Sequence, residues 1–334
     1  MRGNQRNAPW QVREEEFPET GTAEERARFL LRYAVLAPST HNSQPWKFAV
    51  DDTTIRVFAD ESQWLDVADA DKRELYFSVG CAVENLVVAA TRFGFEPVVE
   101  YSSPESSVTT TVTLRDGEHA TASTTLFSAL TERRTNHHVY EERSLPDEVL
   151  ARFEQDVAGR RAELLLADDE AHVPIAHLQT RADEAQFDDP AYRRELGHYI
   201  GSGALGATWL TARLGQLAVS YLDLGTREAK KNSRLLESAP EIGVILAEPS
   251  ERTAHIEAGR GFERLFLRAT SNDIAVHPMN QILQVPELKA ELADLLVVPG
   301  KSLQLLFRLG YAPPEETRRP RRPVEAVLRD DEPA

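Results

Sequence analysis

The chain has 334 residues, 41% hydrophobic and 28% charged, with a mean hydropathy of -0.41; that suits about two domains of roughly 150 residues each and excludes a disordered chain. No apolar run approaches the roughly 18 residues that span a bilayer, which excludes a membrane-spanning helix. Lys and Arg number 38 against 54 Asp and Glu, a formal net charge of -16, which argues against nucleic acid and anionic membrane as partners.

In chain order, Thr22 to Ala37 has a helical pattern, with a capping box at Thr22 and Glu25 and Phe29, Leu30, Tyr33 and Leu36 on one face. Pro38 stops it. Short strands are predicted over Lys47 to Val50 and Thr54 to Ala59, then a helix over Arg73 to Phe93, broken at Gly94 and Pro97. Alternation at Val108, Thr110, Val112 and Leu114 predicts a half-buried strand. Helices follow at Leu126 to Thr131 and Pro146 to Val157, and a long helical stretch covers Val173 to Leu224. Ile242 to Ala247 is a buried strand, Ile256 to Thr270 a helix, and Leu303 to Leu309 a last strand, with an extended tail after Gly310.

Laying Ser78 to Thr91 over Glu257 to Thr270, 179 residues on, matches Gly80 with Gly259, Glu84 with Glu263, Leu86 with Leu265, Ala90 with Ala269 and Thr91 with Thr270. Amphipathic helices share compositions, but an offset of about half the chain is what a fused duplication predicts.

The cations are almost all arginines, the better fork for phosphate and carboxylate. They cluster at Arg133 and Arg134, and at Arg318, Arg319, Arg321 and Arg322. The N-terminus, with Arg2, Arg6, Arg13 and then three glutamates, lacks the apolar segment of a secretory leader. The lone Cys81 has no second cysteine to pair with, and a cytoplasmic location is expected.

Several segments could carry chemistry. Ala37 to Phe48 (APSTHNSQPWKF) is a helix end and a loop dense in hydroxyls and amides, which composition favours as a self-capped turn but which could also present a planar polar ligand with hydroxyls and amides. In ERRTNHHVYEERSLPDEVL, Arg133, Arg134 and Thr135 offer forked cations beside a hydroxyl, the chemistry phosphate demands. No metal is expected: His137 with His138, and His172 with His177, lack carboxylate or cysteine at ligand spacing. GSGALG at Gly201 to Gly206, with Asp223 beyond, fits a dinucleotide fingerprint, but a helix-like segment rather than a strand precedes it. Cys81 lies mid-helix between apolar neighbours, where a buried thiol is usual, and no nucleophile elbow occurs.

APSTHNSQPWKF resembles the A-P-S-x-x-N-x-Q-P-W segment of the FMN-dependent nitroreductases, and RRTNHHVYEERSLPDEVL resembles that family's R-R-S-x-R-x-F opening. RLGYAPPEETRRPRRPVEAVL is similar to its closing G-Y-P segment and basic tail. With EAGRGFERLFLRAT and HPMNQ, the order is most similar to the Acg-type branch, in which two nitroreductase-like halves are fused.

The resemblance implies an α+β, nitroreductase-like fold: two related halves forming an intramolecular pseudo-dimer, with mixed or antiparallel central sheets flanked by helices. It implies an N-terminal extension over 1–20, a first half over 21–120 carrying the flavin-ring loop, a second over 121–310 carrying the phosphate site, and a basic tail over 311–334. A helical insert at about 175–235 is the candidate lid. Pro38, Ser39, Thr40 and Asn42 are expected at the flavin ring, and Arg133, Arg134, Thr135, His137, Arg321 and Arg322 at the phosphate. The turn at Met279, Asn280 and Gln281 is expected near the flavin's reactive nitrogen. His137 stands where Arg or Lys is usual, so its phosphate contact would follow its own protonation. SNDIAV at Ser271 to Val276 replaces a glycine-rich segment.

The same resemblance implies one FMN per chain, NAD(P)H as donor, a nitro compound, quinone or other small-molecule electron acceptor, and no dedicated catalytic side chain. The chain would be a monomeric pseudo-dimer or a homodimer. The competing functions are a flavin-sequestering protein with a lidded, restricted cofactor, and a Rossmann-type NAD dehydrogenase using Gly201, Gly203 and Gly206.

Overall fold

The computed structural model describes residues 8–117, 124–204, 211, 225–249 and 251–329. Its framework is one unit used twice. The first half runs β1 (Trp46–Asp51), β2 (Thr54–Ala59), α2 (Arg73–Arg92), β3 (Phe95–Tyr101) and β4 (Val108–Asp116), after α1 (Ala23–Ala34). The second runs β5 (Ala162–Leu166), β6 (Glu241–Ala247), α8 (Arg252–Ser271), β7 (Ala275–Pro278) and β8 (Ser302–Gly310), after α3 (Thr124–Glu132) and α4 (Asp147–Val157). The sheet orders correspond, β1-β2-β4-β3 and β5-β6-β8-β7, and every pairing is antiparallel. Even the irregularity repeats: the ladder shifts at Val57/Phe58, skipping Thr109, and at Ile245/Leu246, skipping Gln304.

The halves meet along α2 and α8. A Cβ on Gly80 would lie 2.0 Å from the Ile256 carbonyl oxygen, and one on Gly259 would lie 2.0 Å from that of Phe77. These are a single contact read from its two sides, since Gly80 and Gly259, like Phe77 and Ile256, are 179 positions apart. Such self-complementarity is what a two-fold interface has, here inside one chain. The first residues of the two helices repeat it: Arg73 donates to the Gln304 carbonyl on β8, and Arg252 donates to those of Val108 at 3.2 Å and Ser106 at 2.8 Å. The fold is α+β, two related halves joined as an intramolecular pseudo-dimer.

The halves differ in what joins their first hairpin. A turn at Asp52, in left-handed backbone at φ 51, joins β1 to β2, whereas residues 167–240 separate β5 from β6 and hold α5 (Asp169–Asp188), α6 (Pro190–Ser202) and α7 (Gly225–Glu237). A further helix, α9 (Pro286–Leu295), lies between β7 and β8. The tail crosses back to the first half, ending in α10 (Val324–Val327) and a bridge from Leu328 to Phe48.

Most predicted elements are present, with the Thr22–Glu25 capping box fully formed. The helical stretch predicted over Val173 to Leu224 divides at Asp189 into α5 and α6, its residues 205–210 and 212–224 lie outside the described residues, and α7 begins beyond its predicted end. Four further elements carry no clear sequence signal. β3 is masked by Gly94 and Pro97, which an edge strand tolerates; β5 is partly exposed, β7 has only four residues, and α9 begins at a proline. Among the described residues no helix is long and apolar enough to cross a membrane.

Candidate functional site

A cavity of about 320 Å³ opens between the halves, within the size range of small-molecule and cofactor sites. From α2 come Glu74, Phe77, Ser78 and Cys81, one face at helical spacing. The loop after α1 supplies Pro38, Ser39, Thr40, His41 and Asn42. Facing them from the second half and tail are Arg133, Thr135, His137, Phe262, His277, Pro278, Asn280, Gln281, Gln284, Leu305, Arg319 and Arg321, with Tyr192 from α6.

The loop is tightly wound. His41, Asn42 and Gln44 all have positive φ, 50, 57 and 54°, a conformation costly for non-glycine residues and sustained only by surrounding bonds. Ser39 Oγ accepts the Gln44 N–H at 2.8 Å. The Asn42 amide donates to the Ala204 and Pro320 carbonyls, both at 2.8 Å, and its oxygen accepts from Arg321 at 2.8 Å. Asn42 therefore ties the first half, the helical insert and the tail together rather than presenting its amide to a ligand. Thr40 donates to Glu74 Oε2 at 2.6 Å, and Gln284 donates to the same carboxylate at 3.0 Å.

The arginine end carries more positive than negative charge. Arg133 and Arg321 are both buried and both donate to the Leu36 carbonyl oxygen, Arg133 at 2.7 Å and Arg321 at 3.2 Å. Glu263, also buried, lies 3.2 Å from Arg133 Nε, but that Nε and Glu263 Oε2 lack aligned hydrogen-bond partners, so the pairing is Coulombic. Burial raises Glu263 to about 7 against the pull of Arg133 and Arg321. Burial, then repulsion from Arg133, pushes Arg321 well below the usual arginine range. An anion here would relieve the strain on Arg321 and favour the neutral form of Glu263.

Three expected site residues stand off the wall. Arg134 stacks over Trp10 at 5.0 Å and donates to the Thr131 and Arg133 carbonyls. Arg322 pairs with Asp60 at 3.2 Å. The Met279 side chain is in the second core, leaving only its backbone near the cavity. The pH-dependent role expected of His137 also changes, because burial, then Arg319, lowers it to about 4 and the ring is neutral at pH 7.

The rest of the expected set, Pro38, Ser39, Thr40, Asn42, Arg133, Thr135, His137, Asn280, Gln281 and Arg321, lines the cavity. Glu74, Phe77, Ser78, Phe262, His277 and Tyr192 join it unexpected; the signal available for α2 is a glutamate and a serine on the inner face of an apolar helix. Gln281 Oε1 and His41 Nδ1 are buried without partners. These two atoms, the surplus of buried guanidinium charge and the aromatic faces of Phe77, Phe262 and Tyr192 fit a flat, polar-edged, anionic ligand.

The dinucleotide fingerprint does not form. Gly201 lies in the last turn of α6 and Gly203 caps it at φ 77, so the motif ends a helix rather than following a strand; Gly206 and Asp223 lie outside the described residues. Among the described residues no group of three His, Cys, Asp or Glu is arranged to hold a metal.

No protein-family model matches the chain. Over 308 residues, 89% of this chain and 87% of the other, it is 27% identical to a Mycobacterium tuberculosis protein provisionally named NAD(P)H nitroreductase Rv3131. Over 325 residues, 93% of this chain and 98% of the other, it is 23% identical to the same organism's acg protein, which carries the same provisional description. Among solved structures, the FMN-dependent nitroreductase NfnB from Mycobacterium smegmatis, in complex with NADPH, aligns with a TM-score of 0.45 and 16% identity, covering 63% of this chain and all of that one. Over most of its length the chain is thus similar to these two proteins of nitroreductase name, the acg protein among them.

Proposed function

We propose that the protein is an FMN-dependent NAD(P)H oxidoreductase that reduces nitro compounds, quinones or similar small acceptors, with one FMN per chain between its halves. The observation that carries this reading is the cavity itself: a hydroxyl-rich loop from the first half faces surplus buried arginine charge from the second half and the tail. The names of the relatives, NAD(P)H nitroreductases, support the same chemistry. In this reading 21–120 and 121–310 are the two halves and 311–334 a tail that completes the phosphate end. The cavity already draws on both halves of one chain, so it needs no second copy, and the cytoplasm would supply the reduced nicotinamide.

When bound, FMN supplies the hydride chemistry. The chain's residues bind, orient and exclude water. Arg133, Arg319 and Arg321 with Thr135 and His137 would hold the phosphate; Pro38, Ser39, Thr40 and the Met279–Gln281 backbone would face the ring. Tyr192 and Phe262 would shield it. No side chain is assigned a proton-transfer role. The purified protein should be yellow or take up FMN on titration, and Arg319→Ala should weaken FMN about ten-fold, the loss of one charge-assisted contact. A protein that takes up no FMN overturns the proposal.

One feature favours the sequestering alternative. Helix α6, whose Tyr192 lines the cavity, is tied to the first half: the Ala204 carbonyl after it accepts from the Asn42 amide, and Glu195 accepts the Val67 and Ala68 N–H groups, both at 3.0 Å. Anaerobic mixing of the flavin-loaded protein with NADH or NADPH separates the two: rapid bleaching of the visible flavin band supports the enzyme, and bleaching by dithionite alone supports sequestration.

A further inference from the structure

His277 is not among the residues expected at the site, yet it lies in the cavity wall, on β7, directly across the ladder from Arg308 on β8. Arg308 is fully buried and stacks on Tyr140 at 3.8 Å. Its guanidinium donates to the Leu235 carbonyl at 3.0 Å and Ser238 Oγ at 3.5 Å, and to the carbonyls of Asn136 at 3.3 Å and His138 at 2.8 Å. The remaining donor, Nε, lies 3.2 Å from His277 Nδ1. A guanidinium has donors only, so Nδ1 must be the acceptor and the ring proton must sit on Nε2. Protonating Nδ1 would set two donors against each other. Burial, His137 and Arg308 all act in the same sense, holding His277 well below the ordinary imidazole range.

The same contacts gather the neighbouring residues. Thr135 bridges to Val276, and Asn136 N–H donates to the Val276 carbonyl at 3.0 Å. This brings Thr135, His137 and His277 to one end of the cavity, the two imidazoles edge to face with centroids 4.3 Å apart. The charged groups acting on the pair are Arg308, Lys231, Arg319 and Glu315.

We propose that His277, fixed by Arg308 as a neutral Nε2–H imidazole, is a ligand-binding residue that donates to a phosphate-monoester oxygen at this end of the cavity. Arg308 is its positioning residue. The proposal rests on the FMN reading for the identity of the ligand, but the tautomer does not. A neutral donor gives a phosphate contact that does not fade between pH 6 and 8, unlike the titrating contact expected of a solvent-exposed histidine.

Two measurements test it. In the ¹⁵N-labelled full-length protein without added ligand, long-range proton–nitrogen spectra should show His277 as the Nε2–H tautomer, unchanged from pH 8 to 5.5; an Nδ1–H pattern, or titration above pH 6, overturns the fixed tautomer. For the ligand, FMN and riboflavin, which lacks the phosphate, are titrated into wild type, His277→Leu and His277→Gln. His277→Leu should lose about ten-fold in FMN affinity with riboflavin unchanged, and His277→Gln, which keeps an acceptor for Arg308 and a donor for the ligand, should stay within about three-fold of wild type. Equal losses for both flavins, or no loss, overturn the phosphate contact. A wild type that binds neither flavin overturns the FMN reading and the phosphate contact together, while the spectra still decide the tautomer.

Discussion

Glu84 and Glu263 occupy equivalent places in the two halves, and the chain has treated them in opposite ways. Glu84, on α2, is buried and gathers three guanidiniums, from Arg160 at 3.2 Å, Arg260 at 3.1 Å and Arg264 at 3.0 Å. Burial pushes its carboxyl up, but Arg260, Arg160 and Arg264 outweigh it and hold it below the usual range. Glu263, on α8, has only the poorly aligned Arg133 and, more distantly, Arg321; an Asn85 amide donates to it at 2.8 Å where the equivalent partner of Glu84 is Arg264. The walls differ in the same sense. Ser78 and Cys81 line the cavity, while their equivalents Glu257 and Arg260 are long charged side chains bonded to Arg161 and to Tyr101 and Glu84. One end of the helix pair is closed by ion pairs; the other is left open with cationic charge to spare. Duplication thus produced two equivalent places, and substitution kept one as a site and turned the other into a clasp.

The largest test strikes what the two ends share. Gly80→Leu and Gly259→Leu each drive a side chain into a backbone carbonyl 2.0 Å from the Cβ, and neither should give soluble folded protein; a cooperative, wild-type-like unfolding transition for either would refute the close crossing of α2 and α8. Next, Glu84→Gln should cost about 3–5 kcal/mol in denaturant unfolding, because three guanidiniums lose their buried anion. Glu263→Gln should raise stability at pH 7 rather than lower it, since burial lifts this carboxyl to about 7 and the neutral amide escapes that penalty. The same change should tighten FMN several-fold by removing a competing anion. If the two substitutions cost the same and flavin affinity is unmoved, the contrast between the ends is wrong.

The pH dependence carries the same contrast with opposite signs. Burial raises Glu263 from its ordinary 4.5 to about 7 in the folded chain, so the folded state holds a proton that the unfolded state releases. Its contribution is full below pH 4.5 and is lost as pH rises through 7, at up to about 1.4 kcal/mol per unit. Glu84 is lowered, so its contribution is present above 4.5 and lost as pH falls through its depressed value. Subtracting Glu263→Gln from wild type between pH 4.5 and 7 should return the Glu263 slope; a flat difference would remove it. The smallest effect belongs to the exposed Arg181–Glu291 pair, 2.5 Å apart: Arg181→Ala should leave unfolding midpoint and flavin binding unchanged.

Much of the framework is legible in the sequence because it is local. The Thr22–Glu25 capping box, the apolar faces of α1, α2 and α8, and the Gly80–Gly259 correspondence depend on residues a few positions apart or on simple repetition. β3 and β7 are not legible, because edge pairing to β4 and β8 decides them. At the site, the loop at 38–42 and the basic segments stand out by composition, but what each group does is decided elsewhere. Asn42 becomes a structural tie once the tail and Ala204 reach it, and Arg322 is drawn off by Asp60. His277 opens the HPMNQ segment, but nothing local gives its role, since its tautomer depends on an arginine 31 positions on.

The sequence by itself determined that the chain repeats at 179 residues, that its acidic average is broken by two arginine clusters, and that a polar loop follows its first helix. Those are properties of order and spacing, and hydrophobic periodicity, capping and glycine placement enforce them locally. Only the tertiary structure decided which of two equivalent ends stays open, which arginines keep charge to spare and which histidine is locked neutral. Each of those outcomes turns on which partners burial brings within about 3 Å.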